Sequence, residues 1–173
     1  MAARTLRGNA VSSRSVDYLK AAFILGALPG SGKWARFGDM ARLLGVSVST
    51  ISVMTRRLES KGLMEVSEGI GVRLTMKGFR VLAEHLWKVG IVEVMLYQAG
   101  LDSDSCRKIA EKLVEGLDRE AAEALYRALG EPQVCPHNRP ILRPEEITPE
   151  NAYRLALCCG MSLGASRKEQ RKA

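Results

Sequence analysis

Residues 37–78 read FGDMARLLGVSVSTISVMTRRLESKGLMEVSEGIGVRLTMKG, and this stretch limits the fold more than any other. The first eight residues predict a short helix with Met40, Leu43 and Leu44 facing inward. Gly45 stops it, because glycine is the default residue for a left-handed helix cap. Ser47 then caps a second helix that runs to Gly62. Ile51, Met54 and Leu58 share one face of that helix at i, i+3 and i+7, while Ser49, Thr50, Ser52, Val53, Arg56 and Arg57 share the other. Two short helices joined by a tight glycine turn make a helix-turn-helix. LMEVS and GVRLT are short alternating segments around EGIG and predict a hairpin, so the pattern extends to a winged helix. Thr75 caps the helix that follows.

The segment before this motif contains ALPGSGKWARFGD, residues 27–39, which resembles a phosphate-binding loop at Gly32-Lys33. It fails as one. Ala27 stands where glycine is needed, and Trp34 stands where a hydroxyl would hold magnesium. The segment that feeds it, SVDYLKAAFILGAL, has a helix-like spacing of Tyr18, Ala22 and Leu25, with Ser15 as its cap and Asp17 in its first turn. Pro29, Gly30 and Gly32 mark a solvated turn between two helices.

The exposed face of the second helix suits nucleic acid. Hydroxyls and helix N-terminal amides hold phosphates, and arginine contacts phosphate or reads guanine. The expected contact residues are Ser47, Ser49, Thr50, Ser52, Val53, Arg56 and Arg57, with Arg73 on the wing and Lys77 after it. Charge agrees: the net +7 divides into +8 over residues 1–80, −4 over 81–163 and +3 over 164–173. A basic N-terminal half on an acidic body fits a polyanion partner. The competing reading is a helical hairpin used for protein contacts, which would show no salt-dependent DNA binding. With two histidines and no nucleophile–base constellation, the chain is not expected to be an enzyme.

At 46% hydrophobic residues the chain can build a core, but no apolar run reaches the length of a membrane span. The basic N-terminus lacks an apolar signal core, so a cytoplasmic protein with no membrane partner is expected. The expected organisation is a flexible basic arm over 1–15 and a winged helix-turn-helix over 16–78. A helical dimerisation domain follows over 79–132, then a turn, a short helix and a basic tail over 133–173. The fold class is mainly α with a two-stranded β wing. The apolar stretch LWKVGIVEVMLY suggests a surface for a partner subunit.

Three segments, VDYLKAAFIL, MARLLGVSVSTISVMTRRLESKGL and GVRLTMKG, together with GLDSD and CPHNRPI, resemble the diphtheria-toxin-repressor family of metal-responsive transcription regulators. The similarity spans residues 12–142. It implies a homodimer on a palindromic operator, activated by ferrous iron or manganese, and at this length no C-terminal SH3-like domain. The implied metal positions hold Asp17, Glu93, Glu111 and Glu115, which match in type or place. Lys20, Val89, Val114 and Arg107 fill the other ligand slots, where the resemblance implies carboxylate or imidazole. Iron and manganese favour mixed imidazole and carboxylate sites. The expectation is therefore weakened or lost metal dependence, with Lys20 or Arg107 neutralising the carboxylates. The alternative is a residual carboxylate site holding Mn2+ or Fe2+ with water. His85, one helical turn before Val89, is a further candidate donor.

The four cysteines, Cys106, Cys135, Cys158 and Cys159, lack C-x-x-C spacing, and in the cytoplasm they are expected to be reduced. Cys135, His137, Cys158 and Cys159 together would suit zinc by donor type but not by spacing. The competing reading is a turn built by Pro136 and Pro140, followed by a helix capped by Thr148 on which the cysteines are ordinary packing residues.

Overall fold

The structure, a computed structural model, describes residues 12–151. The predicted short helix at Cys158 and Cys159, most of the basic arm and the basic tail lie outside these residues. Helix α1 spans Ser13–Ile24, α2 Phe37–Leu44 and α3 Val48–Ser60. Strands β1 (Met64–Ser67) and β2 (Gly71–Leu74) precede the long α4 (Met76–Gln98). Helices α5 (Ser103–Leu113) and α6 (Arg119–Ala128) follow, with a 3-10 turn at Val114–Gly116 between them and another at Pro144–Glu146.

The caps explain most boundaries. Ser47 Oγ accepts the Thr50 amide at the start of α3, Thr75 the Gly78 amide at α4, Asp102 the Ser105 amide at α5 and Asp118 the Ala121 amide at α6. Each satisfies one of the amides that a helix leaves unpaired at its N-terminus. Gly45 closes α2 at φ 65°, in the left-handed region that glycine enters without a Cβ penalty. One boundary differs from expectation. Helix α1 is capped by Ser12, not Ser15; Ser15 is buried, and Asp17 lies beyond the first turn. Several serines in succession supply equivalent caps locally, so tertiary packing chooses among them.

Strands β1 and β2 are antiparallel, with Met64 opposite Leu74 and Ser67 opposite Gly71. The wing has a third segment that the sequence reading missed. Ala35, just before α2, pairs with Val72 through two backbone hydrogen bonds of 2.8 and 2.9 Å. Gly71 makes this approach possible: a Cβ there would lie 2.2 Å from the Ala35 carbonyl oxygen. The loop that looked like a phosphate cradle thus leads the chain into the wing sheet.

Helices α1, α2 and α3, the wing and the first half of α4 share one hydrophobic core, centred on Leu19, Met40, Ile51, Leu58, Phe79 and Leu82. The second half of α4 carries two smaller clusters. Trp87 and Ile91 meet Tyr126 of α6 together with Cys135 and Ile141, and Val89 and Val92 meet Ala110 and Val114. This changes the reading of LWKVGIVEVMLY. Trp87, Val89, Ile91, Val92 and Val94 are buried inside the chain itself, whereas Tyr97 remains 54% exposed. Most of the apolar surplus therefore packs within the chain and is not left for a partner. Among the described residues no helix is long and apolar enough to cross a membrane.

Candidate nucleic-acid interface and metal centre

The N-terminal turn of α3 presents a cluster of hydroxyls. Ser47 Oγ lies 2.8 Å from both Ser49 Oγ and Thr50 Oγ1, and also accepts the Thr50 amide at 3.1 Å. Ser47, Ser49, Thr50, Val53, Arg56 and Arg57 are exposed and Ser52 is half-buried. Ile51, Thr55 and Leu58 face the core, so the helix separates into the two faces its spacing implied. Thr55, a polar residue on the inner face, satisfies its hydroxyl on the Ile51 carbonyl at 2.8 Å.

Three of the four cations expected to serve the interface, Arg56, Arg73 and Lys77, are already engaged. Arg56 pairs with Glu68 at the wing tip at 2.9 Å, both side chains well exposed. Arg73 pairs with Glu65 across the wing at 2.6 Å and stacks over the Trp34 ring, 4.6 Å from its centroid. Lys77 donates to the Lys61 carbonyl at 2.8 Å, where a cation complements the negative C-terminal end of α3. Arg73 thus ties the two wing strands to each other and to the Trp34 segment, and Lys77 ties α4 to the end of α3.

The four expected metal-site acids do not form one group. Asp17 is exposed on α1, and Glu115 accepts the Ser13 amide at 2.7 Å. Glu111 is bound on both oxygens: Lys20 Nζ lies 2.8 Å from Oε1, and His85 Nε2 lies 2.9 Å from Oε2. Burial alone would raise the Glu111 carboxyl, but the His85 hydrogen bond and the Lys20 charge outweigh it and hold it well below the usual carboxylate range. Val89 and Val114, in the slots without donors, belong to the buried cluster between α4 and α5.

Glu93 instead joins two residues from the segment after α6. Carboxylate, thiol and imidazole atoms of Glu93, Cys135 and His137 all lie within 4.8 Å of one another. Glu93 Oε1 accepts from Arg107 at 3.1 Å. Glu93 Oε2 and His137 Nδ1 are buried without hydrogen-bond partners and face each other at 3.8 Å. Buried polar atoms normally have partners, so this pair calls for one. Burial, and secondarily the Glu93 charge, push the Cys135 thiol up; a bound cation would reverse that. The sequence reading placed Glu93 with Asp17, Glu111 and Glu115, and Cys135 and His137 with distant cysteines, and did not join Glu93 to the other two. The usable signal was the resemblance itself, which covered CPHNRPI and also gave Glu93 as an implied metal position.

Comparison with known proteins points to transcription regulators, among them metal-dependent repressors. Residues 75–143 match the family described as iron dependent repressor, metal binding and dimerisation domain. An HTH-type transcriptional regulator of Aeropyrum pernix is 52% identical over 155 residues, 90% of this chain and 86% of that protein. The transcriptional regulator MntR of Escherichia coli is 36% identical over 90 residues, 52% of this chain and 58% of that one. Among solved structures, a protein of Sulfolobus solfataricus superimposes with a TM-score of 0.69 at 26% identity, over 76% of this chain and 99% of that one. A manganese-dependent transcriptional repressor in complex with manganese gives a TM-score of 0.58 at 29% identity, over 73% of this chain and 57% of that one. The chain thus spans little more than half the length of the manganese regulators it matches.

Proposed function

Because this chain belongs to the family of iron- and manganese-dependent repressors, whose members are regulators and not enzymes, we propose that it is a sequence-specific DNA-binding transcriptional regulator. It binds a palindromic operator as a homodimer and has weakened or lost metal dependence at the expected carboxylate positions. The observation that carries the DNA-binding part is the exposed hydroxyl and arginine face of α3, capped by Ser47 and flanked by the wing.

In this reading α3 enters the major groove by its N-terminal end. Ser49, Thr50 and Ser52 offer hydroxyls to phosphates and base edges, and Val53, 53% exposed, offers methyl groups to thymine methyls. Arg56 and Arg57 contact the backbone or guanine. The Arg56→Ala, Arg57→Ala double variant is expected to bind operator more weakly and to flatten log K against log salt, because fewer counterions are released. An unchanged affinity and slope in a salt titration would contradict the assignment.

The metal implied by the family does not fit Glu111, whose oxygens are taken by Lys20 and His85. It does fit Glu93, Cys135 and His137, where two buried polar atoms lack partners. A thiolate, an imidazole and a carboxylate suit zinc before manganese. When bound there, such an ion would hold Cys135 as thiolate and tie α4 to the segment after α6. Arg107 steadies the Glu93 carboxylate through its other oxygen.

A further inference from the structure

Lys20 is a buried cation that no part of the DNA-binding face explains. Only 9% of it is exposed. It sits on α1, outside the matched metal-binding and dimerisation domain, residues 75–143. Its ammonium nevertheless reaches into that domain and donates to both oxygens of Glu111, at 2.8 and 3.0 Å. The same carboxylate meets His85 of α4 at 2.9 Å and Arg107 of its own helix at 3.5 Å. Three helices therefore converge on one acid. A second acid, Glu115 in the 3-10 turn after α5, holds the Ser13 amide in the first turn of α1 at 2.7 Å.

We propose that Lys20 is a positioning residue that stands in for a bridging divalent cation, latching α1 to α5 without metal. This rests on the DNA-binding function proposed above and adds how the recognition unit is held. A cation between two helices neutralises a buried carboxylate and fixes the distance between them, and a lysine rooted on one helix does both for a single acid. His85 and Arg107 help neutralise Glu111, but they come from α4 and α5; Lys20 is the member that brings in α1. Helix α1 shares its core with α2 and α3, so its position sets theirs. A divalent ion cannot easily displace the lysine, because Val89 and Val114, which fill two of the implied ligand slots, are buried hydrocarbon and offer no donor atom.

This reading makes an unusual demand on a single substitution. Lys20→Glu would set two carboxylates against each other, which repel unless a divalent cation comes between them. It should turn a metal-independent latch into a metal-dependent one. The test is amide hydrogen exchange in α1, measured on the full chain after exhaustive chelation and again with manganese, using α4 as the internal reference. The wild type and Lys20→Arg should protect α1 equally in both conditions. Lys20→Glu should lose about tenfold or more of α1 protection under chelation and recover it with manganese. Wild-type α1 that is protected only with manganese would overturn the proposal. So would Lys20→Glu that keeps full protection under chelation, or that loses it without recovery. If Lys20→Glu does not fold, Lys20→Met replaces it: exchange faster in α1 than in α4, with no effect of manganese, supports the latch, and unchanged α1 protection refutes it. No DNA enters the measurement, so its outcome is separate from the success or failure of the operator-binding reading.

Discussion

Arg56 lies on the exposed face of α3 that is proposed to meet DNA, yet its guanidinium is held 2.9 Å from Glu68 at the wing tip. Exposed pairs of this kind are worth about 0–1 kcal/mol, so phosphate can displace Glu68, but the acid still opposes any DNA. Glu68→Gln is expected to raise affinity up to about fivefold on operator and unrelated DNA alike, with a steeper salt slope; a fluorescence titration on both duplexes checks this. Glu111 gives a pH prediction. Its folded carboxyl lies below the unfolded value of 4.5, so the stability it contributes is present above about pH 4.5 and is lost as pH falls through the folded value. Denaturation of wild type and Glu111→Gln should differ most at neutral pH and converge in acid; a gap that widens on acidification would contradict it. The odd residues in the ligand slots were legible from sequence, because Lys20 and Arg107 are cations beside expected acids. The Glu93–Cys135–His137 group was not, because the turn that brings CPHNRP back onto α4 is set by burial of Cys135 and Ile141 against Trp87 and Ile91, which no local pattern encodes.

The elements of the N-terminal half were legible because each carries its own punctuation. Gly45, Ser47, Gly62 and Thr75 mark boundaries that the structure keeps. The start of α1 was misread because Ser12 and Ser15 are locally equivalent caps, and the pairing of Ala35 with Val72 was missed because it is a long-range contact. Glycines separate tight joints from loose ones. A Cβ on Gly78 would lie 1.9 Å from the Leu63 carbonyl oxygen, whereas one on Gly38 in α2 would meet nothing within 4 Å. Gly78→Ala should therefore destabilise by about 1–3 kcal/mol or more, while Gly38→Ala should stabilise by about 0.4–1 kcal/mol. Thermal melts of the two variants measure this; equal effects would mean that the wing and α4 are not joined so closely.

In the whole molecule, a basic half with the helix-turn-helix and wing is joined to an acidic helical half along α4, whose 23 residues span about 34 Å. The latch at Lys20 and Glu111 crosses the same junction, so the position of α3 depends on the helical half. Two copies joined through residues 79–130 would present two α3 helices to half-sites about one DNA turn apart, roughly 34 Å. With most of the apolar face of α4 used inside the chain, the remaining exposed groups Tyr97 and Leu113 are the natural places to disturb such a joint. Sedimentation at micromolar concentration should show a dimer, and a monomer both on and off DNA would contradict it. The most direct measurement combines both halves: selection of binding sites from genomic DNA with exhaustively chelated protein, followed by affinity for the selected site with and without restored manganese or ferrous iron. The expected result is an inverted repeat bound with the same affinity in every condition. Failure to select any repeat, or an affinity gain of about tenfold or more on restoring metal, worth about 1.4 kcal/mol, that disappears in Glu111→Ala would contradict it.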